Sequence, residues 1–355
     1  MRWLRTLLLL ILLPGCAAAA PDELHLFNWN NSLSAETLQR FEARCGCKVV
    51  PSYYGSMEEA LAKLTAGATG FDVIGPSNYG IVPLVKLDLL QPLDKARLPH
   101  LGNLDPRYAD TPADPGNRYS VPYDFTVTLL GYNEDRLKAL GIDPGSWRAV
   151  FDPALLQRLK GHVTVLDDPR EVIAAALRYH GHSANSRDPQ ALAQVAATLR
   201  AARPYWAAFN SQSYIKELTV GNIWLALGYS NDFYQARMDA QAARRPFRVG
   251  YGLQREGNGM TLDSFVIHKR APRPDLAHRF IDFMLEGPNA AEITNLIGAG
   301  NPNRAAREHI RPELLQVPAI NPGAQDTARL EQLDDLDAPT RRAWNRLWTE
   351  LKAGQ

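Results

Sequence analysis

An α/β fold of two lobes joined by a two-stranded hinge is what this sequence predicts, and three observations predict it. Short apolar runs alternate with amphipathic stretches through the first third of the chain, the pattern of strand–helix units with largely parallel sheets. A long extended run from Tyr119 to Tyr132 then exceeds the usual strand of about five or six residues and suits a crossing between lobes. A second α/β set follows, with an apolar strand at Ser264 to Ile267 placed to cross back.

Leu24 to Trp29 reads as the first strand. Ser34 caps a helix that runs to about Arg44 and stops at Gly46, a residue suited to the left-handed turn at a helix end. Lys48 to Tyr53 is a strand, Ser56 to Leu64 a helix and Phe71 to Ile74 a strand, and Ser77 opens another helix. Beyond the long crossing, His162 to Leu166 and Ile223 to Leu227 read as strands, with helices at Pro169 to Tyr179 and Pro189 to Ala201. Helices at Pro274 to Leu285 and Pro339 to Lys352 open with Pro, which suits the first helical position. The lobes are expected at 22–123 plus 265–320 and at 126–260, with 321–355 as C-terminal helices packing back on them.

Composition bounds the function. Of 355 residues, 45% are apolar and 22% charged, which describes a globular chain. Lys and Arg number 39 against 38 Asp and Glu, so no strong field recommends nucleic acid or an anionic membrane as partner. The N-terminus reads as a secretory signal over residues 1–20: Arg2 and Arg5, then Leu7 to Leu13, then small residues from Gly15 to Ala20. Its apolar run is too short to span a bilayer. Leu13-Pro14-Gly15-Cys16 resembles a lipobox that would acylate Cys16, and cleavage within Ala17 to Ala20 is the alternative. Cys45 and Cys47, flanking Gly46, read as ordinary small residues at a helix-to-strand turn in preference to a strained disulfide.

Ligands of such folds lie at the carboxyl ends of strands. Four strand-to-helix turns carry polar residues there: Asn28 to Asn31, Gly75 to Tyr79, Leu166 to Glu171 and Gly228 to Asp232, joined by Thr261 to Ser264 on the crossing strand. Converging, they would present Trp29, Tyr229 and the carboxylates of Asp168, Glu171, Asp232 and Asp263. An aliphatic diamine matches this set. Each ammonium is strongly hydrated and offers only donors, so burial requires a carboxylate in place of the lost water. Aromatic faces cover the methylenes and attract the cation.

Plainer roles stand beside these. Asp168 before Pro169, with Glu171 three residues on, has capping-box spacing. Asp232 lies in a helix first turn, where any acid favours the dipole. Ser77 suits a plain N-cap, and Trp29 could close the first strand as core. Asp263 is harder to dismiss, because it interrupts an apolar strand. Catalytic signatures are absent: eight scattered histidines, no G-x-S-x-G, no H-E-x-x-H and no P-loop. No cofactor or metal is expected.

In order along the chain, the segments Phe27-Asn28-Trp29, Gly75-Pro76-Ser77, Gln91-Pro92-Leu93-Asp94-Lys95, Val121-Pro122-Tyr123, Leu166-Asp167-Asp168-Pro169-Arg170-Glu171-Val172 and Asn303-Arg304-Ala305-Ala306 resemble those of the periplasmic spermidine- and putrescine-binding proteins of ABC-type importers. The resemblance implies a type II periplasmic-binding-protein clamshell that captures a polyamine and delivers it to an ABC permease, as a periplasmic monomer without enzymatic activity. It implies ligand contacts from Trp29, Ser77, Glu171 and Asp263. Asp232 follows Tyr229 as in putrescine-type members, Asp168 stands where spermidine-type members carry an acid, and Ser211 falls where some members use a Ser. This chain departs at Asn30-Asn31, where the family usually has an acid, at Thr261 in place of an aromatic, and at Tyr229 in place of the commoner Trp. The alternatives are a binder of another cationic or zwitterionic solute, or an exported enzyme using Glu171 and Asp263.

Overall fold

The computed structural model describes residues 22–30 and 32–354. The expected signal segment, Cys16 and Asn31 lie outside these residues. The described residues form eleven strands: β1 (Glu23–Trp29), β2 (Lys48–Tyr54), β3 (Val73–Ile74), β4 (Leu90–Gln91), β5 (Ser120–Asn133), β6 (Val163–Val165), β7 (Ala208–Phe209), β8 (Leu225–Tyr229), β9 (Val249–Gly252), β10 (Asn258–His268) and β11 (Leu330–Gln332). Hydrogen bonding runs in the order β2-β1-β3-β10-β5-β8-β6-β7, with β4 and β11 on β10 and β9 on β5.

The two long strands join two halves. The first part of β5 pairs with β10, from Ser120 opposite Val266 to Val127 opposite Met260. Its last part, Thr128 to Asn133, pairs with β8 and β9. Around the first part, β1, β2 and β3 are parallel, and apolar clusters centred on Phe27, Phe41, Phe265 and Phe280 fill the faces. Around the last part, β6, β7 and β8 are parallel, over a core holding Trp147, Phe151, Leu199 and Phe233. The C-terminal helix Ala338–Lys352 adds Trp344, Leu347, Trp348 and Leu351 to that second core.

The expectation of largely parallel sheets holds within each half and fails at the junction. The crossing strands run antiparallel to each other, β10 also to β3 and β4 and β5 also to β8 and β9, while β11 alone joins β10 in parallel. A chain that leaves one half and returns must traverse the boundary in opposite directions, so its two passages pair antiparallel. The return strand is also longer than Ser264 to Ile267: it begins at Asn258 and carries Asp263 mid-strand. The strand expected at Phe71 to Ile74 shrinks to Val73–Ile74, and that at Ile223 to Leu227 shifts to Leu225–Tyr229.

Local signals worked well where a cap marks the boundary. Ser34 accepts from the Thr37 N–H, and the helix Ala35–Cys45 ends at Gly46 with φ +67°. Ser56 accepts from Glu59 N–H, opening Met57–Thr65. Asp168 caps Pro169–Tyr179. The reading of Cys45 and Cys47 is corrected: they form a disulfide. The left-handed turn at Gly46 folds the chain back on itself and brings the two Cα atoms to 5.2 Å, inside the range a bridge accepts.

Candidate functional site

Two groups of acidic and aromatic side chains face each other where the halves meet. The first is built on β1, β3, β5 and β10. Ser77 occupies the N-cap position of the helix Asn78–Lys86, yet its hydroxyl caps nothing. It donates instead to Asp263 Oδ1 at 2.5 Å, so the plain N-cap reading is corrected. The reason is topological: Ser77 bridges to β10 at Asp263, and Ser264 N–H donates to Pro76 O at 2.9 Å, which draws the turn onto the strand.

Directly opposite Asp263 on β5 stands Asp124, which is 2% exposed. Asp263 pairs with Asp124 while Ser264 pairs with Pro122, so Tyr123 is an extra residue in the ladder. Such bulges re-aim side chains, and this one lets Tyr123 reach back, its hydroxyl donating to Asn28 Oδ1 at 3.1 Å. The Tyr54 hydroxyl donates to Gly75 O at 2.6 Å, and the Trp29 and Tyr54 rings lie 4.6 Å apart. Gly75 is required here, because a Cβ would sit 1.8 Å from Asn28 Oδ1. The Trp29 indole N–H approaches the Asp263 carboxylate but stays outside hydrogen-bond geometry, buried without a partner.

The second group stands on β5, β6, β8 and the helices that follow. Asp168 accepts from the N–H groups of Arg170 and Glu171 at 2.7 and 3.3 Å, as a true N-cap. Glu171 does not return the bond, so the capping box is half made. Its Oε2 accepts from the Thr128 hydroxyl on β5 at 2.5 Å, and the residue is 2% exposed. Asp232, in the first turn of Ser230–Ala242, accepts from the Tyr214 hydroxyl, which in turn accepts from Tyr229 N–H at 3.3 Å. Gly228 permits this relay: a Cβ there would meet the Tyr214 ring at 2.5 Å.

Burial shapes the charges of both groups, since a desolvated carboxylate favours its neutral form. It pushes Asp263 up to about 7, against the pull of the Ser77 hydrogen bond. Asp124 is raised well above the ordinary range by burial, then by the negative charge of Asp263. Glu171 is pushed up to about 7 by burial and the nearby Asp168. Asp168 rises to about 6 through burial and the charge of Glu58. Asp232 rises to about 6 through burial, with the Tyr214 bond acting against it.

Tyr79 joins the groups. Burial raises its hydroxyl strongly, and the fields of Asp168, Glu171 and Asp263 raise it further, so it stands between acids of both halves. No arginine or lysine among the described residues forms an ion pair with the set, though the charge of Arg170 pulls Asp168 and Glu171 down against burial. Among the described residues, Asp124, Asp168, Glu171, Asp232 and Asp263 enter no ion pair, while Asp167, Glu331, Asp335 and Asp337 do. Arg170 gives its Nη donors to Ala184 O, Asn185 Oδ1 and Asp334 O and lies over Trp344, while its Nε is buried without a partner.

The structure thus brings together seven of the nine expected side chains: Trp29, Ser77, Asp168, Glu171, Tyr229, Asp232 and Asp263. It does not bring in the other two. Asn30 is exposed in the turn after β1. Ser211 is exposed, and its hydroxyl accepts Asp167 N–H at 2.8 Å, pinning a turn. Sequence reasoning passed over Asp124, Tyr214 and Thr128, and placed Tyr79 in a candidate turn without giving it a role. The signal for Asp124 was the one that marked Asp263: an acid inside an otherwise apolar or hydroxyl-bearing strand.

No group of three or more His, Cys, Asp or Glu side chains among the described residues is arranged to hold a metal ion. Two α/β halves on a pair of crossing strands, with unneutralised acids and aromatic faces between them, define a solute-binding protein of the hinged clamshell class. The chain belongs to the bacterial extracellular solute-binding protein family, whose model matches residues 36–319. It is 54% identical to the putrescine/cadaverine-binding protein of Pseudomonas aeruginosa over 98% of this chain and 99% of that one. It is 34% identical to a putrescine-binding periplasmic protein of Escherichia coli over 96% of this chain and 94% of that one. Among solved structures, the spermidine/putrescine ABC transporter substrate-binding protein of Streptococcus pneumoniae matches with a TM-score of 0.84 and 26% identity, covering 94% of this chain and 99% of that one.

Proposed function

We propose that this protein is the periplasmic capture subunit of an ABC importer and binds an aliphatic diamine of the putrescine or cadaverine type between its lobes. The observation that carries the reading is the set of five buried or half-buried carboxylates, on the two crossing strands and at two helix starts, with no basic side chain paired to them. A buried acid without a counter-charge is costly, and a small dication is the ligand that relieves that cost at two places at once. The names of the relatives support the same class of solute.

In this reading the lobes comprise 22–123 with 265–320, and 126–260, and β5 and β10 form the hinge. Trp29, Ser77 and Asp263 receive one ammonium. Asp168, Glu171 and Asp232 receive the other, with Tyr79 and Tyr229 along the methylenes. Ligand touching both lobes stabilises the closed state by its differential affinity for that state, and the closed form is what a permease reads. The chain catalyses nothing in this role.

A thermal-melt panel tests it. Ligand at about 100 Kd stabilises by about 2.7 kcal/mol, so putrescine and cadaverine should raise the melting temperature plainly. 4-Aminobutanoate and glycine betaine, each carrying a carboxylate, should not. A shift with the zwitterions and none with the diamines would reject the reading.

A further inference from the structure

We propose that Asp124 is a second anionic anchor at the Asp263 end, and that the two carboxyls hold a shared proton which the arriving ammonium displaces. This rests on the diamine reading above and extends it to a residue on the hinge strand itself.

The case is geometric. Asp124 and Asp263 are direct cross-strand partners, which places their Cβ atoms about 5 Å apart on one face. The pairing sets the two carboxyls side by side, close enough for the charge of Asp263 to act on Asp124. Asp263 has an outside donor in Ser77; Asp124 has none, and its Oδ1 is buried with no partner. The groups facing the pair are Trp29 from β1, Tyr54 from β2, Ser77 and Tyr79 from the turn and helix after β3, and Tyr123 from β5. All are neutral at pH 7, and burial with the carboxylates holds the three tyrosines protonated. Two carboxylates this close, Asp124 buried and Asp263 half-buried, resist ionising together, so the empty pair keeps a proton. A primary ammonium brings three donors and one positive charge. Its N–H groups replace the shared O–H, its charge lowers the affinity of the pair for the proton, and the proton leaves to solvent. At this end the balance is one ammonium in and one proton out, with the charge of that end unchanged.

Proton counting tests this. Putrescine is titrated calorimetrically near pH 7 in two buffers of different ionisation enthalpy, into the native protein and into Asp124→Asn. The native protein should release about one more proton per ligand than the variant, and the variant should bind at least about tenfold more weakly. An equal proton count, with or without weaker binding, overturns the exchange. Infrared difference spectra of the native protein keep the test alive if the variant misfolds: putrescine should remove a protonated-carboxyl band, and an unchanged band overturns the proposal. Failure of the native protein to bind putrescine or cadaverine would instead sink the diamine reading and this extension together. Binding with an unchanged variant sinks only the extension.

Discussion

The two acidic groups solve the same electrostatic problem differently. At the second end every acid has a protein donor: two backbone N–H groups for Asp168, the Thr128 hydroxyl for Glu171, the Tyr214 hydroxyl for Asp232. These bonds orient the carboxylates and partly replace water. At the first end one serine serves Asp263, and Asp124 beside it has no donor at all. Preorganised acids recognise a ligand by shape and distance, whereas an underserved pair supplies a larger electrostatic gain when a cation arrives. Affinity should therefore be weighted toward the hinge end and selectivity toward the second lobe.

Paired substitutions probe that asymmetry most strongly. Asp263→Asn should weaken putrescine binding by more than about tenfold, because a buried ammonium loses its counter-charge. Glu171→Gln should cost less, about three- to tenfold, since Asp168 remains beside it and Thr128 can still bond the amide. Calorimetric titration of both variants compares the losses; equal losses would erase the distinction between the ends.

A smaller effect appears in stability against pH. Folding raises Asp263 and Glu171 to about 7 and Asp168 and Asp232 to about 6, all above the values of an unfolded chain. The native state therefore binds more protons than the unfolded state between about pH 4 and 7. The stabilisation is fully present below that window and is lost as pH rises through the folded values. Ligand-free protein should melt lower at pH 8 than at pH 6, and saturating putrescine should raise the melting temperature more at pH 8. A ligand-free melting temperature that climbs between pH 6 and 8 would show that these acids are paired in the folded protein.

Much of this architecture was readable because helix boundaries carry local chemistry. Ser34, Ser56 and Asp168 cap where expected, and Pro169, Pro189 and Pro274 open their helices. What could not be read depends on contacts distant in sequence. Ser77 looks like an N-cap until β10 arrives 186 residues later to take its hydroxyl. Glu171 looks like half of a capping box until Thr128 intercepts it. The antiparallel pairing of β5 with β10 follows from topology rather than from any local pattern. Asp124 was legible in principle: β5 is buried for almost its whole length, so an acid within it is as informative as Asp263 in β10. The left-handed turn at Gly46 was read correctly, but that it sets Cys45 and Cys47 within bridging distance was not.

The most direct measurement is a crystal structure of the complex with putrescine. One nitrogen should lie within about 3 Å of both Asp124 and Asp263, and the other within the same reach of Glu171 or Asp168, with the rings of Trp29, Tyr79 and Tyr229 along the chain between them. A diamine found elsewhere, or with a nitrogen touching no carboxylate, would contradict the account.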